Sequence, residues 1–180
     1  MIALTIGEIA QAINGKVVQG DEGLVVRGGA DTDSRSLEKG GIFFAKLGEH
    51  EDGHRYLEQV AEIAALAVVS SPNPSVELAQ IQVEDTVVAL TDLAKYVLAK
   101  VRAGGVLKVV GITGSNGKTS TKNMLREILS RVGETVAPRD SFNNEVGLPL
   151  TVLKLQTSTK YLVLELGAAG IGSIKALASW

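Results

Sequence analysis

The sequence predicts an α/β protein in two parts: a small mixed α/β domain, then the first part of a parallel-sheet domain that carries a phosphate-binding loop. Three observations predict it. Helical and strand-like periodicities alternate along the chain. The pattern breaks at Ala103-Gly104-Gly105, directly after the longest helical stripe. Beyond that break a β-branched strand runs into a glycine-rich turn that opens a helix. The expected organisation is a domain over 1–83, a linker helix within 84–105 and a sheet domain over 106–180.

In the first part, Thr5 followed by Glu8 has capping-box spacing, and Ile6, Ile9, Ala10 and Ile13 repeat at helical intervals up to Gly15. Strand-like pieces follow at Lys16–Val18 and Leu24–Val26, and Ala30–Arg35 reads as a polar turn. Gly40-Gly41 leads into an apolar strand, Ile42–Ala45. A helical pattern starts at Asp52 and runs through Leu57, Val60, Ala61 and Ala64. Ala65–Val69 and Ile81–Val83 are short buried strands around the breaker run Ser70–Ser75. Val87, Leu90, Leu93, Ala94, Val97, Leu98 and Val101 then form one wide apolar stripe, which predicts a helix over Thr86–Arg102.

In the second part, Val106–Thr113 is a strand and Lys118–Val132 a helix with Met124, Leu125, Ile128, Leu129 and Val132 on one face. Thr135–Ala137 is a short strand, Pro138–Gly147 a loop and Tyr161–Glu165 a buried strand. Strands alternating with helices predict a parallel sheet with right-handed crossovers.

Composition narrows the function. Lys and Arg number 18 against 20 Asp and Glu, a net charge of −2, which excludes a nucleic-acid-binding basic arm and a polyacidic tail. Hydrophobic residues are 45% and charged residues 21%, a globular mix. No apolar run has the roughly 18–20 residues of a membrane helix, and the N-terminus reads as no signal peptide. The absence of Cys excludes disulfides, thiolate metal sites and a Cys nucleophile. With two histidines a His-based metal site is not expected, and without a G-x-S-x-G elbow a Ser-His-Asp hydrolase is disfavoured. Phe43, Phe44 and Tyr56 read as core, not as a base-stacking platform.

The chemistry concentrates in Gly111-Ile112-Thr113-Gly114-Ser115-Asn116-Gly117-Lys118-Thr119. Small residues let backbone N–H groups turn toward phosphate, and the helix start adds positive potential. Lys118 suits the β- and γ-phosphates, and the Thr119 hydroxyl suits Mg²⁺. The strict P-loop spacing would place glycine where this chain has Ile112. An ordinary glycine-rich strand–helix turn is the plainer alternative, and the Gly-Lys-Thr triplet argues against it.

These residues resemble a family. Thr113-Gly114-Ser115-Asn116-Gly117-Lys118-Thr119-Ser120-Thr121-Lys122 looks like the ATP loop of the Mur ligases, the ATP-dependent amide-forming enzymes of peptidoglycan precursor synthesis. Asp31-Thr32-Asp33-Ser34-Arg35, Gly40-Gly41-Ile42-Phe43-Phe44-Ala45 and Gly48-Glu49 with Asp52-Gly53-His54 are similar to the N-terminal domain of the two later ligases, MurE and MurF. Asn143-Asn144-Glu145-Val146-Gly147-Leu148-Pro149-Leu150-Thr151 and Glu165-Leu166-Gly167-Ala168 look like the MurF family. That family joins D-alanyl-D-alanine to UDP-N-acetylmuramoyl-tripeptide. A MurE-type or folylpolyglutamate-type ligase, and a non-catalytic nucleotide- and UDP-sugar-binding fragment, are the alternatives.

The resemblance implies roles residue by residue. ATP would be held by Gly114, Ser115, Asn116, Gly117, Lys118, Thr119, Ser120, Asn143 and Asn144, and Mg²⁺ by Thr119 and Glu165. Lys118, Asn144 and Glu165 would serve the chemistry. UDP-muramoyl peptide would be held by Asp33, Ser34, Arg35, Lys46 and His54. For each there is a plainer structural reading. Glu165 could be an exposed strand-end acid, the asparagines turn formers, Asp33-Ser34-Arg35 a solvated turn with an internal ion pair, and His54 a helix-start residue bonded to backbone. The resemblance further implies a cytoplasmic enzyme, monomeric at full length, of some 450 residues. The rest of its ATPase domain, a carbamate-bearing lysine and a C-terminal domain would lie beyond Trp180, so the 180-residue chain alone is expected to form no amide.

Overall fold

The computed structural model describes residues 1–48, 51–138 and 144–167. The chain divides into two units, Met1–Leu93 and Ala94–Trp180.

The first unit opens with β1 (Leu4–Thr5) and α1 (Ile6–Ala12). The capping box forms: Glu8 N–H donates to Thr5 Oγ1 at 3.1 Å, and Thr5 N–H donates to Glu8 Oε2 at 2.9 Å. Ile6, Ile9 and Ala10 are the buried stripe. There follow β2 (Lys16–Gln19), β3 (Val25–Val26), β4 (Ala30–Asp31) and β5 (Ile42–Phe44). A 3₁₀ turn over Gly53–Tyr56 continues into α2 (Leu57–Val60), then come β6 (Leu66–Val69) and β7 (Gln80–Gln82). Strands β1 and β3 form an antiparallel pair. The main sheet has the order β2-β7-β6-β5-β4, parallel except for the edge pair β2–β7. Phe43, Ala45, Ala67 and Val69 from that sheet pack with Leu57, Val60, Val76 and Leu78 into one cluster. Phe43 and Phe44 are both fully buried, as expected of core.

Helix α3 (Thr86–Arg102) has the bounds the stripe predicts, and the division between the units falls inside it. Asp85 starts it, its Oδ1 accepting from Val87 N–H at 2.7 Å and Val88 N–H at 3.1 Å. Leu90, Leu93, Ala94, Val97, Leu98 and Val101 are all buried.

The second unit contains β8 (Lys108–Ile112), α4 (Lys118–Ser130), β9 (Thr135–Val136), α5 (Gly147–Val152) and β10 (Tyr161–Glu165). Its sheet is wholly parallel in the order β8-β10-β9, so the last strand is central among the described residues. The register pairs Glu165 with Ile112, which puts both strands' carboxyl ends side by side. Glu134 ties the turn before β10 to the start of β9, accepting from Ser158 Oγ at 2.6 Å and Thr159 Oγ1 at 2.8 Å.

The structure corrects four local expectations. The helix expected from Asp52 to Ala64 is a 3₁₀ turn plus four α residues, because Ile63 N–H closes a tight turn on Val60 instead of continuing the ladder. Ala30 and Asp31 are strand, not turn, being paired with Ile42 and Phe43. Residues 147–152, not assigned as helix from sequence, form α5 with every residue buried. Pro149 lies in its first turn, where its missing N–H costs nothing. On α4 the expected apolar face is split. Leu125 and Leu129 are half-buried, but Met124, Ile128 and Val132 are 65%, 62% and 62% exposed.

Candidate nucleotide and substrate sites

The phosphate-binding loop leaves β8 at Ile112 and enters α4 at Lys118. Gly117 is the N-cap residue of α4, at φ +78° and ψ 1°. That left-handed conformation costs an L residue about 1–2 kcal/mol, which explains glycine here. A glycine cap also offers no side-chain acceptor, so the first N–H groups of α4 keep no capping partner of the kind Thr5 gives α1. They are donors for an anion, aided by the helix dipole. A cavity of about 420 Å³ lies there, lined by Ser115, Asn116, Gly117, Lys118, Thr119, Ser120 and Glu165.

Three side chains organise this cavity. Lys118 Nζ donates to the Gly114 carbonyl at 2.7 Å, folding the ammonium over the loop. Thr119 Oγ1 donates to Glu165 Oε2 at 3.0 Å, across 46 residues of sequence. Lys122, one turn further along α4, brings its Nζ to 3.9 Å from the same Oε2. Lys122 is 0% exposed and Glu165 2%. Central β10 carries Glu165 to the carboxyl edge of the sheet, where parallel α/β sheets place their ligands.

A second cavity, of about 450 Å³, lies in the first unit. Its walls are Thr32, Asp33, Ser34, Arg35, Lys46, Gly48, Glu51, Gly53, Tyr56 and Gln59. Asp31 folds one wall: Oδ1 accepts from Thr32 and Asp33 N–H at 2.8 and 2.9 Å, and Oδ2 accepts from Ser36 Oγ at 3.0 Å. Asp33 then takes Arg35 in a fork, with Nε at 2.9 Å and a terminal nitrogen at 2.6 Å. The side-chain bond to Arg35, then its backbone N–H, pulls the Asp33 carboxyl down to about 2. The opposite wall needs Gly53, since a Cβ there would sit 2.8 Å from Lys46 N and 2.9 Å from Lys46 O.

Residues 112–180 match the family model of the Mur ligase middle domain. Across 98% of its length the chain is 39% identical to a UDP-N-acetylmuramoyl-tripeptide–D-alanyl-D-alanine ligase of Bacillus subtilis, and across 97% it is 36% identical to the Escherichia coli enzyme of the same name. The chain is thus similar to the Mur ligases over nearly its whole length. It spans 38% and 37% of the length of those two curated relatives. Among solved structures, one from Acinetobacter baumannii, titled UDP-N-acetylmuramoylalanyl-D-glutamyl-2,6-diaminopimelate–D-alanyl-D-alanyl ligase, superposes with a TM-score of 0.81 at 38% identity, covering 94% of this chain and 37% of that one. The MurF ligase of Thermotoga maritima in complex with ADP gives 0.70 at 28% identity, covering 86% and 35%.

In this chain the expected nucleotide residues Ser115, Asn116, Gly117, Lys118, Thr119, Ser120 and Glu165 come together at one cavity. Gly114 shapes the loop and receives Lys118 without lining that cavity. Asn143 lies outside the described residues, as do Glu49, His50 and 168–180. Asn144 is turned to its own chain: its Oδ1 accepts from Val146 and Gly147 N–H at 3.3 and 2.8 Å and starts α5.

Asp33, Ser34, Arg35 and Lys46 share the other cavity, and His54 is not in its lining. Both ring nitrogens of His54 are engaged. Nδ1 meets Asp52 Oδ1 at 2.6 Å, while Nε2 accepts from Ser70 and Ser71 N–H at 3.0 and 3.2 Å. Backbone N–H groups only donate, so this geometry requires a neutral ring with its proton on Nδ1. Ser70 Oγ lies 3.3 Å from Nε2, giving the composition of a hydrolytic triad. The lone pair that would act as base is already spent on the backbone, so the triad chemistry is absent. His54 instead splints the 3₁₀ turn to the end of β6. The sequence reading gave no role of its own to Lys122, although its spacing four residues after Lys118 puts both on one helix face. It also placed Tyr56 in the core, whereas Tyr56 packs on the core and lines the cavity as well.

Proposed function

We propose that this chain is the UDP-substrate-binding and ATP-loop portion of a ligase that joins D-alanyl-D-alanine to UDP-N-acetylmuramoyl-tripeptide in peptidoglycan precursor synthesis. The observation that carries the reading is the part-buried Thr119–Glu165 contact at a glycine-capped helix start, in a chain whose likeness to the named ligases runs through both units. The parent reaction has two steps. The tripeptide carboxylate takes the γ-phosphoryl group of ATP, releasing ADP and giving an acyl phosphate. The amine of D-alanyl-D-alanine attacks the acyl carbon, phosphate leaves, and the amine loses its proton.

The residues present suit the binding half of this chemistry. Lys118 exchanges the Gly114 carbonyl for phosphate oxygens, and the N-terminal turn of α4 adds its backbone donors and dipole to the same anion. Thr119 and Glu165 suit Mg²⁺. Octahedral ligands at about 2.0–2.1 Å place adjacent oxygens about 2.9 Å apart. Thr119 Oγ1 and Glu165 Oε2 are 3.0 Å apart. When bound, the ion supplies neutralisation of phosphate charge. In the first unit, Arg35 and Lys46 provide the cationic wall for a diphosphate, and Tyr56 an apolar one. No helix among the described residues is long and apolar enough to cross a membrane.

The test is a pair of titrations of isotope-labelled protein. UDP-N-acetylmuramoyl-tripeptide should shift resonances at Ser34, Arg35 and Lys46, and ADP with Mg²⁺ those at Gly117, Lys118 and Thr119. Sugar nucleotide shifts confined to the second unit would overturn the substrate assignment, and no response to ADP would overturn the nucleotide one.

A further inference from the structure

Lys122 lies outside the lining of the nucleotide cavity, and the proposed binding of nucleotide gives it no work. It is fully buried on α4, and its ammonium faces the Glu165 carboxylate at 3.9 Å from the oxygen that also accepts from Thr119. A buried ammonium is costly unless a carboxylate compensates it. The same compensation acts in reverse on Glu165, whose charge is partly answered before any metal arrives. Around this point the protein offers a divalent ion little else, since no group of three or more His, Asp or Glu side chains that could hold a metal occurs among the described residues.

We propose that Lys122 is a positioning residue that holds Glu165 in place as a resident cation and keeps free divalent ions out, so that Glu165 takes a metal only together with a nucleotide's phosphates. This deepens the proposed ATP·Mg²⁺ reading and rests on it. The physical reason is a balance of charge. A free ion meeting Glu165 gains one carboxylate and one hydroxyl, and is repelled by an ammonium about 4 Å from that carboxylate. An ion arriving with a diphosphate brings further oxygens and negative charge, which offset that repulsion. Lys122 thereby replaces the metal as the group that fixes the Glu165 rotamer in the empty site. It touches neither nucleotide nor reacting atoms, so its effect reaches the phosphates through Glu165.

The experiment is Mn²⁺ binding followed by water-proton relaxation enhancement, on the 180-residue chain, without nucleotide and with saturating ADP. In the unaltered protein, nucleotide-free binding should be at least tenfold weaker than binding with ADP. Lys122→Met should tighten nucleotide-free binding at least tenfold and narrow that gap, and Lys122→Arg should restore it. Lys122→Gln keeps a polar side chain in place while removing the charge; it carries the same expectation as Lys122→Met and serves if that variant does not fold. Equal Mn²⁺ affinity with and without ADP in the unaltered protein would overturn the proposal, as would an unchanged gap in a folded Lys122→Met or Lys122→Gln protein. Mn²⁺ binding in neither condition would overturn the metal role of Thr119 and Glu165, and this inference with it.

Discussion

At the residue scale, Lys118 and Asp33 make opposite predictions about what an ion pair is worth. The Lys118 ammonium rests on the Gly114 carbonyl, which water or phosphate can replace. Truncating it removes a charge-assisted contact to the nucleotide, about 1.5–3 kcal/mol, so Lys118→Ala should weaken ADP binding by about 10- to 150-fold in calorimetry while leaving the melting temperature almost unmoved. Unchanged affinity would remove the P-loop assignment. Asp33 already has its partner. With its carboxyl lowered from 3.8 to about 2 in the folded protein, the Arg35 pair contributes stability above pH 4 that is lost as pH falls toward 2. The pair is exposed, so the energy at stake is small. The clearer readout is the Asp33 side-chain carbon shift: Arg35→Gln should bring its titration back toward the ordinary carboxylate range, and a midpoint still near 2 would mean that Arg35 is not the cause. Arg35 must also exchange Asp33 for any diphosphate it binds, so Asp33→Asn should change substrate affinity even though Asp33 repels anions only weakly when paired.

At the scale of elements, the starts of α1, α3 and α5 are closed by side chains and that of α4 is not. Thr5 and Glu8 close α1, Asp85 closes α3 and Asn144 closes α5. Thr5→Ala should therefore cost about 1 kcal/mol of stability in denaturant unfolding without touching nucleotide binding. Gly117→Ala at the open start of α4 should cost about 1–2 kcal/mol and also weaken ADP binding, because the strained φ and the phosphate donors belong to one turn. Equal effects of the two substitutions on ADP would contradict this division. What the sequence made legible follows the same line. Capping boxes, the α3 stripe, the glycine-lysine-threonine loop and β10 are local patterns, and they stand where their spacing puts them. Helix α5 was hidden because its six residues are buried all round and carry no period. The end of the Asp52 helix was misjudged because Ala61 and Ala64 keep helical spacing while packing on the core from a turn. No local pattern marks Lys122 as buried, and the parallel register of β8 and β10 is what brings a carboxylate to it.

For the whole molecule, the outer face of α4 and the turn after it carry an exposed apolar stripe. Met124, Ile128 and Val132 recur every four residues and are all more than 60% exposed. Exposed apolar stripes of this kind favour association. Ile128→Lys should leave stability within about 0.5 kcal/mol and lower the light-scattering mass of concentrated protein. An unchanged mass would show that this stripe does not drive association.

The hydrogen bond from Thr119 to Glu165 joins residues 46 apart, so it has a consequence in time as well as in space. The loop itself can form early, being one strand–turn–helix unit. Its metal carboxylate arrives only once the last described strand has threaded between β8 and β9, a closure that loop entropy delays. Nucleotide with metal should then hold on to the finished chain without helping to make it. ADP with Mg²⁺ should slow unfolding in stopped-flow denaturant jumps and leave the refolding rate unaltered.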